Sequence, residues 1–563
     1  MAERFSERKS IPDLEMYQDG LNKLPEVLSI LGFEKLRAGQ DRVVMNLLAC
    51  MDTVCILPTS LGKSACYITP TLCHGWHSIV VSPLTALMRD QVKSCWNKGI
   101  SSDQISSTQT EGENLEAMKR WVDGKTSILF VAPERFENEI FMAAINSRKP
   151  DAIFLDEAHC LSSWCDNFRP SYKVMGDVIQ RLNPRVVGAF TATAPPEVEK
   201  DIRWVLGLGK AEKVLHYPRR TNLHLSSETC DEGETNLRLF SKLKRIQGSS
   251  IVYFSTITRL EETLYAAQNF IKEPITYYYG EMDPALKRSN QDMWMEDKAR
   301  IIFATSAFGM GIDKPNVRHV FERDITGSVE ACMQQLGRAG RDGNDSWCHS
   351  FLSPDSIRTQ DFFLRMAHPT MEDITAMYNA LDELADGSGF VDADWKTIGK
   401  NSGVSGFMID SVTQALISDN VIRRSKEKST TAFIKFHKID KADKRMVQWF
   451  DAITEGGVAT SDNAVEIDLD WLSNKLGYTS QASVKKWLKQ WTQDGMITFV
   501  PPPPRAPLEI MGGLDRIDFA RLKKKRDDSY RKLEEVKYYF EVPDKEKHAY
   551  VEHIFKLHNG ESK

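Results

Sequence analysis

No cysteine follows Cys348 in this 563-residue chain, so the remainder cannot hold a four-cysteine zinc site, and no structural zinc is expected. The ten cysteines that precede it lie on or beside apolar runs, and none form the CxxC pair of a metal or redox site. They read as reduced core residues of a reducing compartment. Runs of about 18 apolar residues are missing, which leaves no helical membrane span, and the polar opening MAERFSERKS lacks the apolar core of a signal peptide. The expectation is an intracellular chain, cytoplasmic and nucleoid-associated, or nuclear in a eukaryote. Positive charge is not in excess either: 73 Lys and Arg stand against 78 Asp and Glu, a formal net charge of −5. No bulk field attracts nucleic acid, and any such binding must come from local patches. Hydrophobic residues, at 41%, can build cores for roughly three to five domains of about 100–200 residues each.

Short apolar runs alternate with helical patterns from about residue 28 to 210, at Thr53–Leu57, Ser78–Val81, Ser127–Val131, Ala152–Leu155 and Val186–Phe190. Each ends in a polar or Gly/Pro-rich turn, the texture of buried parallel strands. A second series follows at Ser250–Phe254, Ile275–Tyr279, Arg300–Ala304, Val317–Phe321 and Trp347–Leu352, so two successive α/β domains are expected. Beyond about residue 365 helices and charged turns take over. Trp395–Lys400, Phe407–Asp419 and an extended Ala432–Phe436 share one helix, turn, helix, strand plan with Leu469–Leu476, Ala482–Gln493 and Met496–Val500. Both resemble winged-helix units, with Pro501–Arg505 as a stiff wing tip.

Three segments carry chemistry. In LPTSLGKS, Leu57–Ser64, an apolar strand leads through a turn into a helix, where backbone amides and the helix start can cradle phosphates. Lys63 would neutralise the β- and γ-phosphates and Ser64 would hold Mg²⁺, with Thr59 and Gly62 shaping the loop. Asp156 and Glu157 follow the apolar run Ala152–Leu155; the first can hold the Mg²⁺ shell and the second can orient or deprotonate the attacking water. QQLGRAGRDG, Gln334–Gly343, spaces Arg338 and Arg341 so that both can aim at a nucleotide held by the other domain, an effect worth roughly 10³–10⁵ in rate.

The ordered series LRAGQ, LPTSLGKS, VSPLTALMRDQV, VAPERF, DEAHCLSSWCDNFRPSY, TATA, IVYF, FATSAFGMGIDKPNVR and QQLGRAGRDG resembles the motif set of RecQ-family superfamily 2 DNA helicases over about residues 28–360. The resemblance implies two tandem RecA-like P-loop domains and an ATP- and Mg²⁺-dependent motor moving three-prime to five-prime on single-stranded DNA and unwinding duplex. It implies that Gln40 reads the adenine edge with Arg37 nearby, and that Gly311 and Asp313 face the nucleotide. Thr191 and Thr193, with Gln334, would relay between ATP and DNA, while Arg341 serves as the arginine finger supported by Arg338. Trp164, Phe168 and Arg169 match the aromatic-rich loop that couples DNA to hydrolysis; an exposed aromatic can also stack on bases at about 1–3 kcal/mol each without reading sequence. Strand contacts would come from Ser82, Pro83, Arg89 and Gln91 in the first domain and from Thr305, Ser306 and Met310 in the second. Expected boundaries are an extension over 1–27, the ATP-binding domain over 28–218 and the second motor domain over 219–365. Winged-helix units over 366–440 and 441–511 and a helical segment over 512–563 complete the chain.

Departures from the family pattern are specific. Ser60 and Leu61 stand in a loop the family makes richer in glycine, and Ser163, Cys165 and Asp166 replace Gln, Gly and His in the aromatic loop. Tyr279 stands where a histidine is common, and Gln335 replaces an acidic residue before GRAGR. KLEEVKYYF, Lys532–Phe540, resembles the helical part of the family's zinc domain without its ligands. Lys485, Lys486 and Lys489 form a small basic stripe beside Trp487 and Trp491, suited to duplex or forked DNA. Residues 351–563 carry 31 basic and 33 acidic residues, so a protein partner fits this region as well. Two other classes stay open: a DNA-stimulated translocase that displaces proteins or remodels DNA with little unwinding, and a DNA-binding scaffold with a weakened motor.

Overall fold

The computed structural model of the chain describes residue 8 and residues 11–58, 62–162, 170–217, 219–231, 233–309, 314–391, 393–424, 431–437, 443–455, 465–477, 481–500 and 508–560. It divides into two compact units, one of Met1–Asp361 with Ser529–Lys563 and one of Phe362–Asp528.

The first unit contains two parallel sheets. Strands β1 (Thr53–Ile56), β2 (Ser78–Val81), β3 (Ser102–Ile105), β4 (Ile128–Val131), β5 (Ala152–Leu155), β6 (Val186–Thr191) and β7 (Glu212–Leu215) lie in the order β3-β4-β2-β5-β6-β1-β7. Alternate residues of β1 serve different cores: Val54 and Ile56 pack with Trp121 and Ile202, Cys55 with Tyr67 and Phe190. A strand buried on both faces favours apolar residues, and VCI in β1, IVV in β2 and AIFL in β5 follow that preference. The second lobe contains β8 (Leu223–Thr229), β9 (Ser249–Tyr253), β10 (Ile275–Tyr278), β11 (Ile301–Ala304), β12 (Val317–Glu322) and β13 (Ser346–Leu352), in the order β10-β11-β9-β12-β13-β8. Both expected α/β domains are therefore present. The apolar pattern missed β3, β7 and β8, and all three are edge strands of their sheets. An edge strand has one ladder partner and tolerates polar residues; in β3 the buried Asp103 is held by Arg120 at 2.6 Å and Thr126 Oγ1 at 2.5 Å.

In the second unit, β14 (Phe390–Val391), β15 (Ile422–Arg424) and a much later strand make an antiparallel sheet. Between them in sequence lie β16 (Thr431–Phe436), β17 (Val465–Asp468) and β18 (Ile497–Val500), and the late strand is β19 (Leu508–Ile510). The sheet orders are β14-β19-β15 and β17-β16-β18. This corrects the tandem arrangement expected from sequence. The extended Ala432–Phe436, read as closing the earlier subdomain, is the central strand of the later one, paired with Val465–Asp468 and Ile497–Val500. The whole second sheet sits in the connection between β15 and β19, and each subdomain has its own core, around Leu416 and Trp449 respectively. Pro501–Arg505 lies outside the described residues.

From Ser529 the chain is back in the first unit, finishing the helix Phe519–Tyr539 and adding the helix Lys547–His558. His558 bonds Glu330 of the second lobe through Nδ1 and lies 2.9 Å from Glu535 through Nε2. Arg531 bonds Glu535 at 2.5 Å and reaches the same imidazole. Burial opposes the charge on His558, but Glu330 and Glu535 outweigh it and push its pKa up to about 9. Burial likewise opposes the charge on Glu330, yet His558, helped by Lys532, brings it down to about 2. A raised histidine stabilises fully below its ordinary 6.5 and loses that contribution as pH rises through 9; a lowered glutamate stabilises above 4.5 and loses it as pH falls through 2. Melting temperature should therefore fall between pH 6.5 and 9, and thermal melts of His558→Gln should show a shallower fall over the same window.

Among the described residues, no helix is long and apolar enough to cross a membrane. The nine described cysteines are free, eight of them buried and Cys50 half-buried.

Candidate active site

Strand β1 ends at Ile56, and Gly62, with a φ of +68°, caps the helix Lys63–His74. That left-handed conformation is open to glycine at little cost and strains other residues, which fixes the one glycine the loop retains. Lys63 follows as the first helical residue, 7% exposed, with an Nζ that has no hydrogen-bond partner among the described residues and lies 3.5 Å from Glu157 Oε1. Burial alone would discharge this ammonium, but Glu157 and Asp156 hold its pKa above the usual lysine value. Ser64 is half-buried beside it. Gln40 is buried and spans the site's edge, accepting from the Arg37 amide at 2.8 Å and donating to the Gly62 carbonyl at 3.1 Å, while the Arg37 side chain is exposed.

Asp156 leaves the end of β5 almost fully buried, and burial together with Glu157 pushes its carboxyl up to about 6. Glu157 has φ +48°, a position that costs of order 1–3 kcal/mol for a residue with a side chain and turns this carboxylate back toward Lys63. Its other oxygen lies 3.4 Å from His159 Nδ1, and the same ring nitrogen lies 3.0 Å from Thr191 Oγ1. Burial keeps His159 below the ordinary histidine pKa. Thr191, at the end of β6, donates to the Thr193 carbonyl at 2.8 Å. Lys63 and Glu157 are thus joined to Thr191 and Thr193 by contacts through His159, and Asp156 is tied to the same group by the Glu157 N–H at 3.0 Å.

In the second lobe the helix Val329–Leu336 leads into the Gln334–Gly343 segment. Arg338 is buried and donates to the Gly309 carbonyl, with Tyr253 close by, so it braces the second lobe internally. Arg341 is half-buried and Gln334 exposed. Sequence reasoning missed Arg220. Its guanidinium donates to the carbonyls of Gly337, Ala339 and Gly340, each at 2.7 Å, and holds the turn that carries Arg341. Burial lowers its pKa, and Arg341 and Arg37 lower it further, so three like charges gather here. His159 was within the quoted DEAH string and could have been found from it; nothing local marks Arg220.

The strand-contact candidates are not all presented to solvent. Arg89, Ser306, Lys486 and Lys489 are exposed, and Thr305 and Lys485 half-buried. Ser82 and Pro83 are buried, and Gln91 accepts from the Tyr67 hydroxyl at 2.9 Å. Thr59, Trp164, Phe168, Arg169, Met310, Gly311 and Asp313 lie outside the described residues.

Two family models match the chain: DEAD/DEAH box helicase over residues 37–202 and helicase conserved C-terminal domain over residues 234–343. The ATP-dependent DNA helicase RecQ of Bacillus subtilis (strain 168) is 34% identical over 339 residues, covering 60% of this chain and 57% of that protein, so the chain spans little more than half of that relative's length. The probable ATP-dependent DNA helicase RecS of the same organism is 30% identical over 369 residues, covering 64% of this chain and 73% of that protein. Among solved structures, Mss116p bound to ssRNA and AMP-PNP superposes with a TM-score of 0.50 at 16% identity, over 62% of this chain and 76% of that one, a likeness of fold. With the motif residues gathered as described and a relative covered over most of its length at this identity, the chain belongs to the RecQ family of helicases.

Proposed function

We propose that the chain is an ATP-dependent DNA helicase of RecQ type that couples hydrolysis to three-prime to five-prime movement on single-stranded DNA and unwinds duplex or forked DNA. The observation that carries this is Lys63: a buried ammonium at a helix start, flanked by Asp156 and Glu157 and without a hydrogen-bond partner among the described residues. Such a group is costly unless an anion meets it, and a nucleotide polyphosphate is the anion that fits a helix start of this kind. Ser64 and Asp156 are the residues that would hold Mg²⁺, which when bound would screen the phosphate charge. Glu157 takes the proton from the attacking water, Gln40 and Arg37 select the base, and Arg341 closes on the phosphates from the second lobe. Closing and reopening of the lobes then moves the strand past Arg89, Thr305 and Ser306. The aromatic segment with Trp164, Phe168 and Arg169 is assigned to the DNA side of this cycle.

The second unit is proposed to hold two winged-helix modules, the later nested in the wing of the earlier. The order helix, β14, helix, helix, β15, β19 supports the first. The exposed Lys486 and Lys489 support duplex contact by the second, as does Arg445, stacked 3.8 Å over the Trp487 ring.

Steady-state ATP hydrolysis with and without single-stranded DNA tests the proposal. The intact chain should be stimulated strongly, Lys63→Ala should lose hydrolysis in both conditions, and Trp164→Ala should lose the stimulation alone. Folded intact protein with no stimulated hydrolysis would refute the motor.

A further inference from the structure

The helix Lys547–His558 touches both lobes of the first unit. On the first lobe, Phe555 joins the core that holds Val198 and Ile202, and its ring lies 4.9 Å from that of Tyr217. On the second, His548 lies 2.8 Å from the Leu223 carbonyl and His558 bonds Glu330. At the helix end Asn559 is fully buried. Its backbone N–H already closes the helix on Phe555 and Lys556, so the cap needs no side chain. The side chain instead donates to the Phe555 carbonyl at 2.7 Å and accepts from the Ala194 amide at 2.6 Å, while its carbonyl takes Lys213 Nζ at 3.0 Å.

Ala194 is the residue after Thr193. A chain of contacts therefore runs from Lys63 to Glu157 at 3.5 Å, to His159 at 3.4 Å, to Thr191 at 3.0 Å, to Thr193 at 2.8 Å, and from the next amide to Asn559 at 2.6 Å. One residue earlier, His558 engages Glu330, on the helix that leads directly into the Arg338–Arg341 turn. The helix thus joins the loop after β6 to the arginine segment by a route separate from the covalent connection between the lobes. A buried amide is costly unless both its ends are bonded, and here one end holds its own helix at Phe555 while the other is committed to the Thr191–Ala194 loop of the first lobe.

We propose that Asn559 and His558 are positioning residues that make the helix Lys547–His558 the link between the Thr191–Ala194 loop of the first lobe and Glu330 of the second. The occupancy of the nucleotide site is transmitted through this link to the turn that carries Arg341. The proposal rests on the motor reading for its consequence in catalysis, while its structural part is independent of hydrolysis.

Kinetics on the full chain test the consequence. Asn559→Ala should lower DNA-stimulated kcat about tenfold, within the ordinary range of coupling between sites. The KM for ATP should stay within about twofold. Asn559→Asp, which retains the acceptor for the Ala194 amide but sets a carboxylate oxygen against the Phe555 carbonyl, should recover only part of the rate. A simple brace would lower the melting temperature of Asn559→Ala and leave DNA stimulation intact, and that result overturns the proposal. Hydrogen exchange on the unaltered chain supplies a measurement that needs no variant. Saturation with the non-hydrolysable analogue AMP-PNP should change exchange in residues 190–196 and 547–560 together, and any result in which 547–560 fails to respond overturns the link. Absence of hydrolysis in the intact chain removes the motor reading instead, and the exchange experiment still decides whether loop and helix respond as one.

Discussion

Glu157→Gln should hydrolyse ATP with a kcat roughly 10²–10⁴-fold below that of the unaltered chain, the usual worth of a general base, while still binding nucleotide. Glu157 occupies a left-handed conformation at φ +48°, and its carboxylate is thereby brought between the Lys63 ammonium and the His159 ring. Glutamine has the same length and can be held by the same neighbours, so the loop should persist, but its amide cannot accept a proton at neutral pH. Lys63 loses one of the two carboxylates that raise its pKa, yet Asp156 remains and the ammonium stays charged. Removing a negative charge beside the phosphates should leave binding intact or tighten it, whereas Lys63→Ala should weaken it. A fluorescent ATP analogue measures affinity and a coupled assay measures kcat. A Glu157→Gln rate within tenfold of the unaltered chain would assign the base to another group.

What the sequence made legible was whatever local spacing encodes. The apolar runs of β1, β2, β4, β5 and β6 announce themselves because central strands buried on both faces favour apolar side chains. The strands it hid in the first unit are edges, where SDQI and EKVL can be accommodated with one ladder partner and a salt bridge. The nested order of the second unit was hidden for a different reason: β19 pairs across a separation of more than one whole subdomain, and no local pattern says which sheet Thr431–Phe436 will join. The same logic divides the site. Lys63, Asp156 and Glu157 sit in short strings whose residue types state their chemistry. Arg220 and Asn559 have no such string. Their importance arises from bonds to residues 117–120 and 365 positions away, which only the folded chain brings together.

Arg341→Ala should reduce hydrolysis by roughly 10³–10⁵, the range expected when a charge that closes on the transferring phosphoryl group is removed. Arg220→Ala should also lower the rate, by a smaller factor and by another route. Arg220 donates to three carbonyls of the Gly337–Gly340 turn; Gly340 keeps the Asn222 amide and the Gly343 N–H, but the Gly337 and Ala339 carbonyls lose a donor at about 1–3 kcal/mol for each buried acceptor left unpaired, which the turn can relieve only by moving. The two roles separate under conservative substitution. Lysine at 341 keeps the positive charge and should retain part of the rate. Lysine at 220 offers a single rotatable ammonium in place of a planar fork and cannot satisfy three carbonyls in fixed directions, so it should behave much like alanine. A shared fall in kcat with KM for ATP unchanged is expected of both, because neither lies in the loop that binds the ground-state phosphates. If Arg220→Lys restored the full rate, the turn would be held by charge and not by the geometry of its three hydrogen bonds.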